Sequence, residues 1–185
     1  MRSRQTNKPD KYIVSECVKV LRDELPYNLH IFVNSVEFIA KVIDTLKLAP
    51  EAVKVVCSTS GESRQENQRK LGNAYPIGQP SDPAKKINFY TSTCFEGCDI
   101  FDPDGVTFIV SDGRKAHTLL DISTLFTQIC GRIRDSRYKA QIVHVYSTTK
   151  YSKTVTLDEF VAATQRTLAD AESYAAEINS LSEAT

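Results

Sequence analysis

The sequence predicts an α/β protein whose mainly parallel sheet of five or six strands is covered by helices on both faces. Short β-branched runs alternate along the chain with segments of helical periodicity, which is typical of parallel βαβ units. The runs are too continuously apolar for a strand with one solvated face, and Ile31–Val33 is an example. With 41% hydrophobic and 25% charged residues, the 185-residue chain has the composition of a globular protein and not of a disordered or coiled-coil one.

The first predicted helix covers Tyr12–Leu25. Its apolar residues recur every four positions, as expected for the buried face of an amphipathic helix; they are Ile13, Cys17, Leu21 and Leu25. Pro26 ends the helix because proline has no backbone N–H to donate.

A strand and a helix form the next predicted unit. Ile31–Val33 is the strand, and Asn34 followed three residues later by Glu37 is a helix-start signature. One face of this helix is apolar and is formed by Val36, Ile39, Ile43 and Leu46.

A second unit of the same kind begins with the strand Val53–Cys57. Thr59 and Glu62 could start its helix, and Gly72 lies where a C-terminal cap belongs. Because this segment has little apolar content, we expect the helix to be mostly exposed. The proline-rich stretch that follows, residues 72–83, is a predicted loop.

Three further strands are predicted at Ile87–Thr91, Val106–Val110 and Ile142–Tyr146. Between the last two, apolar residues at helical spacing predict a long helix; they are Leu119, Ile122, Phe126, Ile129 and Ile133. Thr156 and Glu159 form a capping box at the start of a long final helix.

The chain divides by sequence into a polar tail or linker (residues 1–11), the α/β domain (12–150) and a C-terminal helical extension (151–185). The net charge is zero, so any contact with nucleic acid must be local. We find neither a membrane span nor the apolar core of a signal peptide. Five cysteines without paired spacing predict reduced thiols in a cytoplasmic protein.

Two segments carry the functional signal. The first is Thr91-Ser-Thr-Cys-Phe-Glu-Gly97-Cys-Asp99-Ile100, and the second is Gln128-Ile-Cys-Gly131-Arg132-Ile-Arg134-Asp135. Each segment alone is compatible with a purely structural role, the first as a capped turn and the second as a solvated helix end. In this order they resemble motifs V and VI of the second RecA-like domain of superfamily 2 helicases and translocases. Ile31-Phe-Val-Asn-Ser35 lies where that family has motif IV.

The resemblance implies a RecA-like three-layer domain that completes an ATP cleft. Arg132 would be the arginine finger, assisted by Arg134, because a guanidinium offers a permanent, planar charge to the γ-phosphate. Gln128 would hydrogen-bond the nucleotide phosphates. The family's second motif VI arginine falls on Asp135, so either Arg134 takes that role or Arg132 acts alone.

On the nucleotide side the resemblance also assigns Gly97, Asp99 and Gly131. Gly97 would let the backbone approach the nucleotide, and Asp99 would accept a hydrogen bond from a ribose hydroxyl or a metal-bound water. Surface charge and turn capping are the rival roles for Arg134 and Asp99.

Small hydrogen-bonding residues at helix starts are the nucleic-acid candidates, because hydroxyls and backbone N–H groups hold phosphates without reading bases. They are Asn34, Ser35, Thr59, Ser60 and Thr91. Thr91 is the strongest because it falls on the motif V threonine. For Asn34 and Thr59, helix capping explains the residue as well as phosphate contact does.

Two family motifs do not occur in the chain: the Gly-x-x-x-x-Gly-Lys-Ser/Thr phosphate loop and an Asp-Glu-x-Asp or Asp-Glu-x-His tetrapeptide. Both belong to the family's first RecA-like domain. We therefore expect the chain to be a C-terminal half that is inactive alone and that uses ATP and Mg²⁺ only with an N-terminal domain. Cys94 and Cys98 lack partners for a zinc site, so no bound metal is predicted.

The nucleic-acid partner is predicted to be DNA, because the motif forms look more like DNA translocases than DEAD-box proteins. Two alternatives stay open: an RNA helicase domain, and a non-catalytic RecA-like binding or regulatory domain. The phosphate loop upstream in the full reading frame would decide against the second.

Overall fold

The structure, a computed structural model, describes residues 1–148, 156–159, 161–166 and 169. Met1–Thr148 form one compact unit and Thr149–Thr185 a second. In the second unit, residues 157–159, 161–166 and 169 are helical, and Thr156 accepts and donates the hydrogen bonds of the predicted capping box with Glu159. The remainder of the predicted final helix lies outside the described residues.

The first unit contains one six-stranded, all-parallel sheet, which confirms the predicted α/β class. Its strands are β1 (Arg2–Gln5), β2 (Asn28–Phe32), β3 (Val53–Val56), β4 (Ile87–Tyr90), β5 (Gly105–Asp112) and β6 (Ile142–Ser147). Their order across the sheet is β1-β6-β5-β2-β4-β3. This architecture is consistent with a RecA-like three-layer domain.

Four α-helices connect these strands: α1 (Pro9–Leu21), α2 (Val36–Leu46), α3 (Glu62–Leu71) and α4 (Thr127–Cys130). No helix in the part of the chain that the structure describes has the length and apolar character needed to cross a membrane.

Except for Asp112 and Ser147 at the carboxyl ends of β5 and β6, one side of the sheet, here called the apolar face, carries apolar side chains on strands β2–β6. The strand register aligns them in rows; they are Leu29, Ile31, Val53, Val55, Ile87, Phe89, Val106, Phe108, Val110, Val143 and Val145. Helices α1 and α2 cover this face with Ile13, Cys17, Ile39 and Val42. As predicted, α3 is mostly exposed, since only Leu71 of that helix is buried.

The other side, here called the polar face, differs in its amino-terminal half. There the register sets a row of buried polar residues across four neighbouring strands, and the row consists of Lys54, Asn88, His30 and Thr107. The next row towards the carboxyl ends is mainly apolar and packs under Phe95, Ile100 and Ile129. The polar face is therefore covered by residues 92–102 and by α4.

Three helix boundaries differ from the predictions. Helix α1 ends at Leu21, because the backbone turns left-handed at Asp23 (φ 55°) and Glu24 N–H donates to the carbonyl of Lys19. Ser35, not Asn34, caps α2 by accepting from Phe38 N–H. Gly61, not Thr59, precedes α3.

The helix predicted from Leu119 to Ile133 is much shorter in the structure. A π-helical turn covers Ile122–Phe126, and the α-helix proper ends at Cys130. Ile133 pairs instead with Ile100 in an isolated parallel bridge. The helix therefore ends before its apolar pattern does, because the backbone at Ile133 pairs with another segment.

The first eleven residues differ from the predicted tail. Arg2–Gln5 form β1, which pairs in parallel with β6, and α1 already begins at Pro9, a residue suited to a first helical position. All four residues of β1 are exposed. An edge strand without apolar residues leaves no hydrophobic pattern in the sequence, and the prediction missed it for that reason.

Candidate nucleotide and nucleic-acid sites

The two functional segments predicted from the sequence meet in space. Ile100 N–H donates to the carbonyl of Arg132 (2.9 Å), and Arg134 N–H donates to the carbonyl of Ile100 (3.0 Å). These bonds flank the bridge between Ile100 and Ile133. Residues Asp99 and Arg132–Arg134 are thereby brought side by side on one short ladder, which we call the motif junction.

Arg132 is half-buried and is held by two backbone carbonyls. Its Nε donates to the carbonyl of Gln128 and one Nη donates to the carbonyl of Cys98, each at 2.9 Å. Arg132 forms no ion pair with any residue that the structure describes. Because a guanidinium has five N–H donors, two fixed bonds orient the group and leave further donors for a ligand.

Arg134 reaches the same junction from the surface. Its Nε donates to Asp99 Oδ1 at 2.7 Å, and the two side chains are 48% and 47% exposed. A pair this exposed contributes at most about 1 kcal/mol to stability, so either partner can exchange the other for a ligand.

Asp135, which stands where the resemblance expects a second arginine, has a different partner. Its Oδ1 accepts from the backbone N–H of Asp102 at 2.9 Å. Asp135 therefore fastens the turn after the motif junction, and Arg134 is the second guanidinium at that place.

Three other residues predicted for the nucleotide side also lie at the junction. Gly97 has φ +70°, a conformation that strains other residues, although a Cβ there would meet nothing within 4 Å. Gly131 caps α4 with an ordinary φ, and a Cβ would lie 3.6 Å from the carbonyl of Gln128. The carbonyl of Gln128 accepts from both Gly131 N–H and Arg132.

The residues predicted to contact nucleic acid lie at the carboxyl ends of the strands. Thr91 is buried and precedes a 3-10 turn at Ser92–Cys94. Asn34 connects neighbouring loops, since its Nδ2 donates to the carbonyl of His117 (2.8 Å) and its Oδ1 accepts from Ser92 N–H (3.4 Å). Asn34 is thus a loop connector and not the helix cap.

Ser35, Thr59 and Ser60 complete this predicted set. The Ser35 hydroxyl is buried and engaged in capping α2, so only its surroundings can face a ligand. Thr59 and Ser60 are exposed in the loop before α3. The Ser60 hydroxyl bonds the Ser58 hydroxyl at 3.0 Å.

The structure separates the two predicted sites. From Thr91 the chain runs back across the polar face, and by Asp102 it has returned to the amino-terminal end of β2, where Asn28 and His30 bond the Asp102 carboxylate. The motif junction therefore lies along the polar face, whereas the nucleic-acid candidates lie at the carboxyl edge of the sheet. Of the two motif-like segments, only the start of the first, at Thr91, lies at the carboxyl end of a strand.

Sequence reasoning missed the buried network that supports the junction. His30 is fully buried and bonds Asp102 Oδ2 through Nε2 (2.8 Å) and the Tyr90 hydroxyl through Nδ1 (3.1 Å). Burial lowers the pKa of His30 despite the neighbouring carboxylate. The neutral ring therefore donates from Nε2 to Asp102 and accepts from Tyr90 at Nδ1, since a carboxylate can only accept.

The carboxylate of Asp102 stays ionised in this network. Burial alone would raise the pKa of Asp102, but hydrogen bonds from His30, Asn28 and the backbone N–H of Asp104 outweigh it and lower that pKa. The signal was present in the sequence as the alternation Asn28-Leu-His30-Ile, which places polar groups on one strand face.

Lys54 and Asn88, from the same polar row, hold the loop beside the junction. Lys54 Nζ donates to the carbonyls of Pro80 and Asp82, and Asn88 bonds both N–H and carbonyl of Lys85. A small cavity of about 130 Å³ lies between this loop and residues 99–101.

Among the described residues, no group of three or more His, Cys, Asp or Glu side chains could hold a metal ion. No protein-family model matches the sequence, and no curated protein matches it either.

Proposed function

We propose that the chain is the C-terminal half of an ATP-dependent superfamily 2 DNA helicase or translocase. In this proposal Arg132 and Arg134 complete an ATP cleft whose other side is an N-terminal RecA-like domain of the same protein. The observation that carries the proposal is the Ile100–Ile133 bridge, because it joins the two motif-like segments and sets Asp99 beside both arginines.

The residues of the junction suit a nucleotide phosphate. Arg132 is oriented by two carbonyls before any ligand arrives, so little reorganisation is needed when negative charge develops. Arg134 can leave Asp99 for a phosphate oxygen, and Asp99 is then released to accept from a ribose hydroxyl or a metal-bound water. When bound with Mg²⁺, ATP supplies the phosphoanhydride bond whose cleavage drives the cycle.

The carboxyl edge of the sheet supports the second half of the proposal. Asn34, Thr59, Ser60 and Thr91 lie on three adjacent strand exits, and hydroxyl, amide and backbone N–H groups there suit phosphates without selecting bases. Differential contacts in the two nucleotide states would then move the domains apart and together along the strand. The five free cysteines support a cytoplasmic location.

The proposal is tested in the full-length protein that it requires. Arg132→Ala should lower ATP turnover by about 10³–10⁵-fold, the usual contribution of an arginine finger, while ATP still binds. Arg22→Ala, which removes an exposed arginine at the end of α1, is the matched control and should leave turnover unchanged. The chain of 185 residues alone should have no turnover. Undiminished turnover in Arg132→Ala would overturn the proposal.

A second candidate, a non-catalytic RecA-like binding or regulatory domain, is favoured by the partners that the arginines already have. Arg132 bonds two carbonyls, Arg134 bonds Asp99, and Asp135 stands where an arginine was expected. If this candidate is correct, Arg134→Ala and Arg132→Ala change stability but not nucleotide turnover. An RNA helicase domain differs only in its substrate, and comparing DNA- and RNA-stimulated turnover separates it from the first proposal.

A further inference from the structure

A charged groove extends the carboxyl edge of the sheet beyond Asn34, Thr59, Ser60 and Thr91. It has a volume of about 620 Å³ and is lined by α1, α2 and the loop after β5. Its charged residues are Lys8, Lys11, Lys41, Arg114, Lys115, Asp10, Glu37 and Asp112. The five cations exceed the three carboxylates by two in a protein whose total charge is zero.

Each carboxylate of the groove is paired with one of its cations. Lys41 bonds Asp10, Lys115 approaches Glu37 at 3.5 Å, and Arg114 grips Asp112 with two hydrogen bonds of 2.9 Å. Lys8 and Lys11 form no ion pair with any residue that the structure describes. The excess charge therefore belongs to Lys8, the residue that precedes α1, and to Lys11 in its first turn.

Two of these pairs can exchange readily. Lys41 and Lys115 are 66% and 40% exposed, and ion pairs in that range contribute at most about 1 kcal/mol. A polyanion that approaches can thus recruit them in addition to Lys8 and Lys11.

The groove adjoins the predicted nucleic-acid residues. Glu37 and Phe38 of its wall belong to the first turn of α2, directly after Asn34 and Ser35. The groove lies over the half of the edge where β1, β6 and β5 end, while Thr91, Thr59 and Ser60 follow β4 and β3. Six strand ends span about 24 Å, enough for roughly seven phosphates of a nucleic-acid strand whose bases are stacked.

The lining indicates which polyanion fits. Among the described residues that line the groove, Phe38 is the only aromatic one and it is buried, so the groove offers charged groups but no exposed aromatic anchor. An acidic protein partner is usually held by apolar or aromatic anchors at the centre of its interface, whereas a sugar-phosphate backbone is held by charge alone.

We propose that this groove is a binding site for the sugar-phosphate backbone of a nucleic-acid strand, continuous with Asn34 and Thr91. The inference rests on the proposed function and extends its nucleic-acid site across the whole carboxyl edge. Lys8 and Lys11 contact phosphates directly, and Lys41 and Lys115 join them by leaving Asp10 and Glu37.

The test measures the affinity of the 185-residue chain for a fluorescent thymidine oligonucleotide of about 20 residues, by anisotropy between about 50 and 200 mM salt. The double variant Lys8→Gln/Lys11→Gln should bind more weakly, and its slope of log affinity against log salt should be shallower by about 1.4, because each lost phosphate contact on a single strand removes about 0.7. Asp10→Asn should tighten binding because it frees Lys41. Lys47→Gln/Lys86→Gln makes the same charge change at the opposite edge of the sheet and should leave the slope unchanged.

The outcomes separate this inference from the proposed function. If Thr91→Val weakens binding but the Lys8/Lys11 variant keeps the wild-type slope, the groove is not part of the site and the proposed function stands. If the chain does not bind the oligonucleotide at the lowest salt, the inference is overturned, while the proposed function is decided separately by Arg132→Ala in the full-length protein. If polyglutamate of equal charge binds as tightly as the oligonucleotide, the groove takes acidic polypeptides and the inference is overturned.

Discussion

The two faces of the sheet use the same strands but are stabilised in different ways. On the apolar face, side chains such as Ile31 and Phe89 are fully buried against α1 and α2, and burial of this kind has no preferred direction. On the polar face, His30, Lys54 and Asn88 donate hydrogen bonds to particular loop atoms. The apolar face therefore supplies stability, while the polar face determines where the loops beside the motif junction lie.

Removing a large side chain from the apolar face should produce the largest loss of stability. Phe89→Ala empties a fully buried site in β4 and should lower the free energy of unfolding by about 3–5 kcal/mol. Urea unfolding measures it. The control is Phe101→Ala, where the side chain is 67% exposed and the expected change is within about 0.5 kcal/mol. Equal losses in both variants would contradict the assigned burial.

Breaking the hydrogen-bond network of the polar face should lower the free energy of unfolding by less than Phe89→Ala does, but it should displace the motif junction. Asp102→Asn leaves one donor among His30, Asn28 and Asp104 N–H without an acceptor, a loss of about 1–3 kcal/mol. Asp104→Asn is the matched control, since Asp104 pairs at the surface with Arg137 and should lose less than about 1 kcal/mol.

The same network makes stability depend on pH. The folded state holds the pKa of His30 below its unfolded value of 6.5, so the unfolded chain takes up a proton first as the pH falls. The free energy of unfolding should therefore decrease from about pH 7.5 to about pH 5.5. The decrease should be smaller than the loss of stability expected on breaking the network by mutation.

Below about pH 4, stability should decrease further. The pKa values of Asp102 and Asp112 are lowered from 3.8 in the folded protein, that of Asp112 to about 2 by Arg114, so these carboxyls also bind protons more readily when unfolded. Unfolding curves at a series of pH values check both windows, and His30→Gln should reduce the slope of the upper one, where the remaining dependence comes from His144, whose pKa is also lowered by burial. A stability that is level from about pH 7.5 to about pH 5.5 would argue against a buried neutral His30.

The smallest effect is expected at the glycines of the junction. Gly97→Ala places a side chain at φ +70° and should cost about 1 kcal/mol, while Gly131→Ala, at an ordinary φ with room for a methyl group, should change stability by less than about 0.5 kcal/mol. Thermal unfolding of the two variants side by side measures the difference, and a larger loss in Gly131→Ala would reverse the assignment.

The apolar face could be predicted from sequence because its signal is local. Burial can be predicted from each segment alone, as in the apolar runs around Ile31, Val55 and Phe108 and in the helical period of α2. The polar row could not be predicted with the same ease, since Lys54 and His30 become neighbours only when β3, β4 and β2 align in register.

The motif junction also depends on contacts between distant parts of the chain, which local sequence patterns do not predict. The sequence predicts Asp99, Arg132 and Arg134 as site residues but not their partners, because Ile100 and Ile133 lie far apart along the chain and the apolar period of the helix continues through Ile133. Strand β1 was missed for a related reason: its place is decided by pairing with β6 and not by its own polar residues.

Arg132 is the residue on which the proposed function depends most directly. The decisive measurement is single-turnover ATP hydrolysis by the full-length protein carrying Arg132→Ala, together with its affinity for ATP. Because a finger acts on charge that develops in the transition state, we expect the rate to fall by about 10³-fold or more while affinity changes far less. A rate that is unchanged, or that falls only in proportion to lost ATP affinity, would contradict the role assigned to Arg132.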